Sequence, residues 1–240
     1  MIELIAHITD PHLDEAFPFK KQKVPRKRLY NILEDIEKKK CSRIVCTGDI
    51  GENTALPCFF SRLEGTSFFL TPGNHDQYVA VASYYTRGIV PTSEKIYTST
   101  QNNTYKTIYL DSSASVIDDE QLHWLTNELL TSLPVVIFMH HPVLGLEGAV
   151  DKIGHLQNRE AVVAILTKTT SQVTIFCGHY HMDDCRQYKN ITQYITPAIA
   201  YQIKTNPDAI TVDTTVSGYR MIYIEEGKIS STVTLFHYAD

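Results

Sequence analysis

Phe68-Phe69-Leu70-Thr71-Pro72-Gly73-Asn74-His75-Asp76 sets the reading of the whole chain. The first four residues read as a buried strand, and Pro-Gly ends it in a sharp turn. That turn presents an amide, an imidazole and a carboxylate in consecutive positions. An Asn oxygen can ligate a hard cation, and the His beside it can give a proton or hydrogen bond to a phosphate. The same pattern recurs four times outward from here. Residues 2–8 run into Thr9-Asp10-Pro11-His12, and residues 43–47 into Gly48-Asp49. Residues 134–139 run into His140-His141-Pro142, and residues 172–177 into Gly178-His179-Tyr180-His181.

Helical patterns alternate with these runs. Leu29, Ile32, Leu33 and Ile36 make one apolar face over residues 25–40, with Pro25 suited to the first turn and Lys38-Lys39-Lys40 to the last. Shorter helices are predicted over 54–63, 77–86 and 157–167. Asp118 with Gln121 forms a helix-starting box ahead of the stripe Leu122, Leu125 and Leu129. Residues 94–110 predict a hairpin or two meandering strands, and 193–195, 219–224 and 229–236 predict strands. Strands that alternate with helices and then predominate imply an α/β sandwich around two mixed sheets.

The 240 residues suit one domain, 1–240, with 43% hydrophobic and 20% charged residues. A net charge of −5 argues against a binder of nucleic acid duplexes, which carry a basic excess, though not against an anionic substrate met by metal ions. Cys41, Cys46, Cys58, Cys177 and Cys185 are odd in number and fit no zinc spacing, so reduced core thiols are expected. The acidic start Met1-Ile2-Glu3 is unlike a signal peptide, and no apolar run reaches membrane-spanning length. The expectation is a cytoplasmic protein with no membrane partner.

Residues at strand ends share a crevice in α/β sheets, so Asp10, His12, Asp49, Asn74, His75, His140, His141, His179 and His181 are expected to converge. Asp-x-His and His-x-His on extended backbone would place both side chains on one face. Carboxylate, imidazole and amide oxygen suit zinc, manganese or iron. Seven such donors exceed the needs of one tetrahedral ion and fit two ions sharing a carboxylate, about 3.5–4 Å apart.

Asp10-x-His12, Gly48-Asp49, Gly73-Asn74-His75-Asp76, His140 and Gly178-His179-x-His181, in that order, resemble the signature of the calcineurin-like metallophosphoesterases. The resemblance implies a four-layer α/β/β/α sandwich and two divalent or trivalent metal ions. It implies that Asp10, His12, Asp49 and His181 hold one ion, and Asp49, Asn74, His140 and His179 the other. A narrower resemblance joins the chain to the bacterial class III cyclic nucleotide phosphodiesterases. It is carried by Leu110-Asp111-Ser112, Gln121-x-x-Trp124-Leu125, residues 151–158, Ala200-Tyr201-Gln202-Ile203-Lys204, Ile210-Thr211-Val212-Asp213 and Gly218-Tyr219-Arg220. Glu52-Asn53 and Gln77-Tyr78 depart from that group, which commonly has an Asp and often an Arg at these places near the mouth of the site.

These resemblances imply hydrolysis of a small phosphoester, a 3′,5′-cyclic nucleotide (cyclic AMP) foremost, by in-line attack of metal-generated hydroxide. His75, oriented by Asp76, is then expected to protonate the leaving alkoxide. Related enzymes are often homodimers. A phosphomonoester, another phosphodiester or a nucleotide pyrophosphate is the second reading. A non-catalytic scaffold, like the retromer subunit of the same architecture, is the third, disfavoured because every ligand position is filled.

Other residues read as structural. His7, His123, His155 and His237 are expected to pack, Tyr180 to point away from the ligands beside it, and Cys177 to face the core. His141 either shapes the pocket or holds His140. The run Lys20-Lys21-x-Lys23-x-x-Arg26-Lys27-Arg28 reads as a solvated loop and helix start, and Arg220 as an exposed strand charge.

Overall fold

Alternation within three neighbouring strands builds the architecture. In Ile44-Val45-Cys46 and Phe68-Phe69-Leu70 the middle residue faces one way and its neighbours the other, and Ile5 and Ala6 divide likewise. The computed structural model describes residues 2–19, 23–204 and 209–239. Its elements are β1 (Ile2–Ile8), α1 (Lys23–Lys38), β2 (Arg43–Cys46), α2 (Leu56–Arg62), β3 (Phe68–Leu70) and α3 (Tyr78–Ala82). Four short strands follow, β4 (Ile89–Val90), β5 (Lys95–Ile96), β6 (Thr98–Gln101) and β7 (Lys106–Tyr109). Next come α4 (Asp119–Glu128), β8 (Val135–Phe138), α5 (Ala149–Gly154), α6 (Arg159–Leu166) and β9 (Val173–Cys177). The chain ends in β10 (Asp184–Tyr188), β11 (Ile191–Ile195), β12 (Gln202–Lys204), β13 (Thr211–Asp213), β14 (Val216–Glu225) and β15 (Lys228–His237).

One sheet has the order β15-β14-β1-β2-β3, and the other β10-β11-β9-β8-β7-β6. The inner strands β1, β2 and β3 run parallel, as do β7, β8, β9 and β11, while β14, β15, β6 and β10 are antiparallel to their neighbours. Ile5, Val45, Phe69 and Ile222 meet Tyr109, Val136, Phe138 and Phe176 in a core between the sheets. Ala6, Ile8, Ile44 and Cys46 face Leu29, Ile32 and Ile36 of α1 and Phe59 of α2. Ile137, Ile175 and Cys177 face Leu125 of α4 and Val162 and Leu166 of α6. The result is the expected α/β/β/α sandwich. The buried parallel strands β3, β8 and β9 are short and mostly apolar because both faces are covered.

α2, α3 and α6 come out shorter than their patterns, whereas α1 keeps its 16 residues but starts two positions earlier. Only residues 78–82 of the predicted 77–86 are helical. Within residues 94–110, β6 and β7 form the expected hairpin, and β4 with β5 add a smaller one ahead of it. β10, Asp-Cys-Arg-Gln-Tyr, lies at a sheet edge and is mostly exposed, so it has no apolar alternation to announce it. Asp118 caps α4 through Gln121 N at 2.8 Å, but the Gln121 side chain turns inward, accepting from Asp111 N and donating to Asp111 O. Arg220 is buried, not exposed: it binds Asp183 and Ile195 O and lies over the Tyr194 ring. Cys46 and Cys177 are core thiols, whereas Cys185 is exposed; all five cysteines are free.

The basic run also divides. Arg26 pairs with Asp14, and Arg28 is buried against Ala200 O and Thr214 O between the Phe19 and Tyr238 rings. Lys27 is exposed, and Lys20 and Lys21 lie outside the described residues.

His7 sits wholly buried between the sheets, edge-on to Phe138 and Phe176, with Nδ1 2.7 Å from Thr196 Oγ1 and Nε2 2.9 Å from Thr47 Oγ1. Burial, then the Arg220 charge, pushes its pKa down to about 3. The fold therefore holds a neutral ring, and the stability this gives is full above the unfolded value near 6.5 and lost as pH falls toward 3. At pH 5 the cost is roughly 2 kcal/mol. Urea titrations of metal-free protein at pH 7.5 and 5 should show it, and His7→Gln should remove that share of the drop. An unchanged drop in the variant would refute the assignment.

Candidate active site

The polar clusters do not continue the strands. Asp10 (φ 51°), His12 (φ 43°), Asp49 (φ 52°), His179 (φ 69°) and His181 (φ 49°) all take the left-handed conformation. The expectation of Asp-x-His and His-x-His on extended backbone is thus corrected: each loop turns back at its ligands. A non-glycine residue there costs on the order of 1 kcal/mol and persists only where its surroundings over-determine it. Those surroundings are hydrogen bonds between the loops. Asp10 N donates to Gly48 O and His12 N to Asp49 O, both at 3.0 Å. His75 N donates to Asp49 Oδ1 at 2.9 Å, and His179 N to Asp10 Oδ2 at 3.0 Å. The glycines permit this closeness. A Cβ on Gly73 would lie 2.1 Å from Asp49 Oδ1, and one on Gly178 would lie 2.0 Å from Thr9 Oγ1.

Seven donors come together as two sets. In the first, His181 Nε2 lies 3.1 Å from His12 Nε2 and 3.2 Å from Asp10 Oδ1. In the second, His140 Nε2 lies 3.0 Å from His179 Nδ1, 3.1 Å from Asn74 Oδ1 and 3.3 Å from Asp49 Oδ2. Asp49 Oδ2 is also 3.8 Å from His12 Nε2, so one oxygen borders both sets.

The far side of three of the four rings fixes the neutral tautomer. His140 Nδ1 donates to Thr47 O at 2.6 Å, His181 Nδ1 to Tyr201 O at 3.0 Å and His179 Nε2 to Gly154 O at 2.6 Å. His12 Nδ1 stands 2.9 Å from Glu15 Oε1. Because a carbonyl only accepts, the nitrogens facing the cleft carry lone pairs whenever these rings are neutral, as ligands must be. Lone pairs set 3.0–3.1 Å apart, beside a buried Asp10 Oδ1 with no hydrogen-bond donor, fit cations between them.

Charge in the cleft shifts its ionisable groups. Burial would raise Asp10 and Asp49, but His181 and His140 respectively outweigh it and hold both carboxyls below their usual range. Burial and then His140 lower His179 to about 4. Glu15 raises His75 to about 9, outweighing burial, with Asp49 adding to the effect.

Asp76 does not orient His75. Its carboxylate accepts from Gly73 N (2.8 Å), Asp49 N (2.8 Å) and Ile50 N (2.9 Å), tying the Asn-His turn to the Gly-Asp loop. The carboxylate that faces the His75 ring is Glu15, with Oε1 3.5 Å from Nδ1. Sequence reasoning missed Glu15, whose one signal is its place three residues after His12. It also missed Tyr201, whose ring packs on His181 at 4.4 Å and His12 at 5.8 Å.

His141 is no ligand. Its nitrogens meet Ser112 Oγ (3.0 Å) and Ser115 Oγ (3.2 Å), and its ring backs His179 at 4.2 Å. Tyr180 points into the core as expected, and its hydroxyl donates to Asp151 Oδ1 at 2.8 Å. Beside His75 opens a cavity of about 240 Å³ bordered by Glu15, Phe17, Glu52, Asn53 and Gln77. Asn53 Nδ2 donates to Gln77 Oε1 across it at 3.1 Å, so the residues that depart from the phosphodiesterase pattern do stand at the mouth.

Residues 4–183 match the family model of the calcineurin-like phosphoesterases. The chain belongs to that family, whose members are metal-dependent phosphoesterases built on a dinuclear centre. It is similar to a 3′,5′-cyclic-nucleotide phosphodiesterase of Nostoc sp., 25% identical over 239 residues, which cover 91% of this chain and 86% of the relative. It is also similar to the 3′,5′-cyclic adenosine monophosphate phosphodiesterase CpdA of Vibrio vulnificus, 27% identical over 205 residues, covering 79% and 73%. A dimetal phosphatase from Danio rerio has the same fold, with a TM-score of 0.68 at 16% identity over 99% of both chains. Among the described residues no helix is long and apolar enough to cross a membrane.

Proposed function

We propose that the chain hydrolyses a 3′,5′-cyclic nucleotide, cyclic AMP foremost, to the nucleoside monophosphate. The observation that carries the reading is Asp49 Oδ2, set between two groups of lone-pair donors drawn from five loops. Asp10, His12, Asp49 and His181 would hold one cation, and Asp49, Asn74, His140 and His179 the other; manganese, iron and zinc all suit these donors. When bound, two such ions lower the pKa of water toward neutrality and stabilise charge on phosphoryl oxygens. The chain's own residues do the rest. Asp49, held through Oδ1 by His75 N, keeps Oδ2 aimed between the two sets. His75, half-exposed at the rim and with its pKa raised chiefly by Glu15, donates a proton to the leaving oxygen. The names of the two relatives support the substrate.

Purified, manganese-loaded protein should release AMP from cyclic AMP, and no release at any pH from 6 to 9 would reject that substrate. The mouth residues Glu52, Asn53 and Gln77 favour a second reading, in which the ester is another phosphodiester, a phosphomonoester or a nucleotide pyrophosphate. A panel of p-nitrophenyl mono- and diesters separates these by the bond that is cut.

A further inference from the structure

We propose that Glu15 is the positioning residue of the proton-donating step, acting through His75; the proposal rests on the phosphodiesterase reading above. One carboxylate oxygen, Oε1, stands 2.9 Å from His12 Nδ1 and 3.5 Å from His75 Nδ1. The two rings it joins lie 5.0 Å apart at 88°, one a donor of the first set and the other at the rim. Glu15 is itself largely buried, its side chain 18% exposed, which strengthens a charge contact relative to one in open water. The residue the sequence points to, Asp76, has both oxygens committed to backbone N–H groups, so the Asn-His turn supplies no carboxylate for the ring.

The chemistry follows from the two nitrogens. Glu15 Oε1 stands on the Nδ1 side of the ring at 3.5 Å, so the carboxylate favours a proton there and the His75 proton that can leave is the one on Nε2. That proton passes to the ester oxygen as the P–O bond breaks and its electron pair moves to that oxygen. Water supplies the incoming oxygen and gives up a proton to solvent, and His75 is left neutral with its remaining proton on Nδ1 until solvent returns one to Nε2. Glu15 touches no reacting atom. It sets the ring's angle and keeps the Nδ1–H form, as a carboxylate does behind other functional imidazoles. The same oxygen also lies 2.9 Å from His12 Nδ1, so the proton donor and one ligand set adjoin a single carboxylate.

The test compares two leaving groups at saturating manganese. Cyclic AMP leaves as an alkoxide that needs a proton, whereas bis(p-nitrophenyl) phosphate releases a nitrophenolate that does not. Glu15→Gln should lower kcat on cyclic AMP by about 10–100-fold with KM little changed. The diaryl ester should lose no more than about threefold, since general acid assistance is small for it. The second readout needs no activity: ¹⁵N NMR of the metal-free protein, at a pH where His75 is neutral, should show the Nδ1–H tautomer, shifting toward Nε2–H in Glu15→Ala. Equal losses on both esters, or none on cyclic AMP, would overturn the proposal, as would an unchanged tautomer. A third cation per chain that disappears in Glu15→Gln would also overturn it, by making Glu15, His12 and His75 a metal site. If the wild type cleaves neither ester, the phosphodiesterase reading fails, and the tautomer still decides the role of Glu15.

Discussion

His75→Ala is expected to lower kcat on a cyclic nucleotide by about 10²–10⁴-fold while the protein keeps both cations. The separation follows from where the atoms lie. The His75 backbone N–H holds Asp49 Oδ1 at 2.9 Å, and alanine retains that bond. Of the seven donors, His12 meets the His75 ring edge-on at 5.0 Å, a contact that holds no cation. The ring is half-exposed at the rim, so its removal leaves no buried cavity. Metal analysis and steady-state kinetics on one sample check this. Loss of cations in proportion to activity would mean that His75 serves the metal sites and not the proton.

Asp76→Ala should do the reverse, releasing the cations and loosening the fold. Three backbone N–H groups, on Gly73, Asp49 and Ile50, lose their acceptor at once. A buried donor left without a partner costs about 1–3 kcal/mol, so the loss should be on the order of 3 kcal/mol or more. These bonds fasten the loop carrying Asp49 to the turn carrying Asn74, so both sets of donors should spread. Opposing this, burial and the neighbouring Asp49 raise the Asp76 pKa to about 7, and removing it relieves that repulsion. Repulsion between two carboxyls is the smaller effect here, because three N–H dipoles remain aimed at the same point. Urea denaturation and metal content measure the outcome. A stable, fully loaded but inactive Asp76→Ala would return Asp76 to the chemistry.

Asp76 also marks the limit of what the sequence carries. The strands and the donors were legible because both follow local rules: apolar runs covered on two faces, then polar residues at their ends. Asn74, His140 and His179 could be placed in one cleft from that alone. The left-handed turns at Asp10, His12, Asp49, His179 and His181 could not, since the period of two assumes extended backbone. Gly73 N and His12 lie three residues from Asp76 and Glu15, but Asp49 N, Ile50 N and the His75 ring reach them from loops that meet only in the fold. Arg28 and Arg220 misled for a related reason. A charge in a run or on a strand reads as solvated, but backbone carbonyls and aromatic rings let both be buried. Gln121 shows the same choice at small scale, leaving its capping role for the backbone of Asp111.

The account turns on Asp49 serving two ions. Elemental analysis of reconstituted protein, wild type beside Asp49→Ala, tests this most directly. Two tightly held ions per chain in the wild type, and weakened retention of both in the variant, are the predicted result. A single ion per chain in the wild type, or two ions held undiminished by Asp49→Ala, would contradict it.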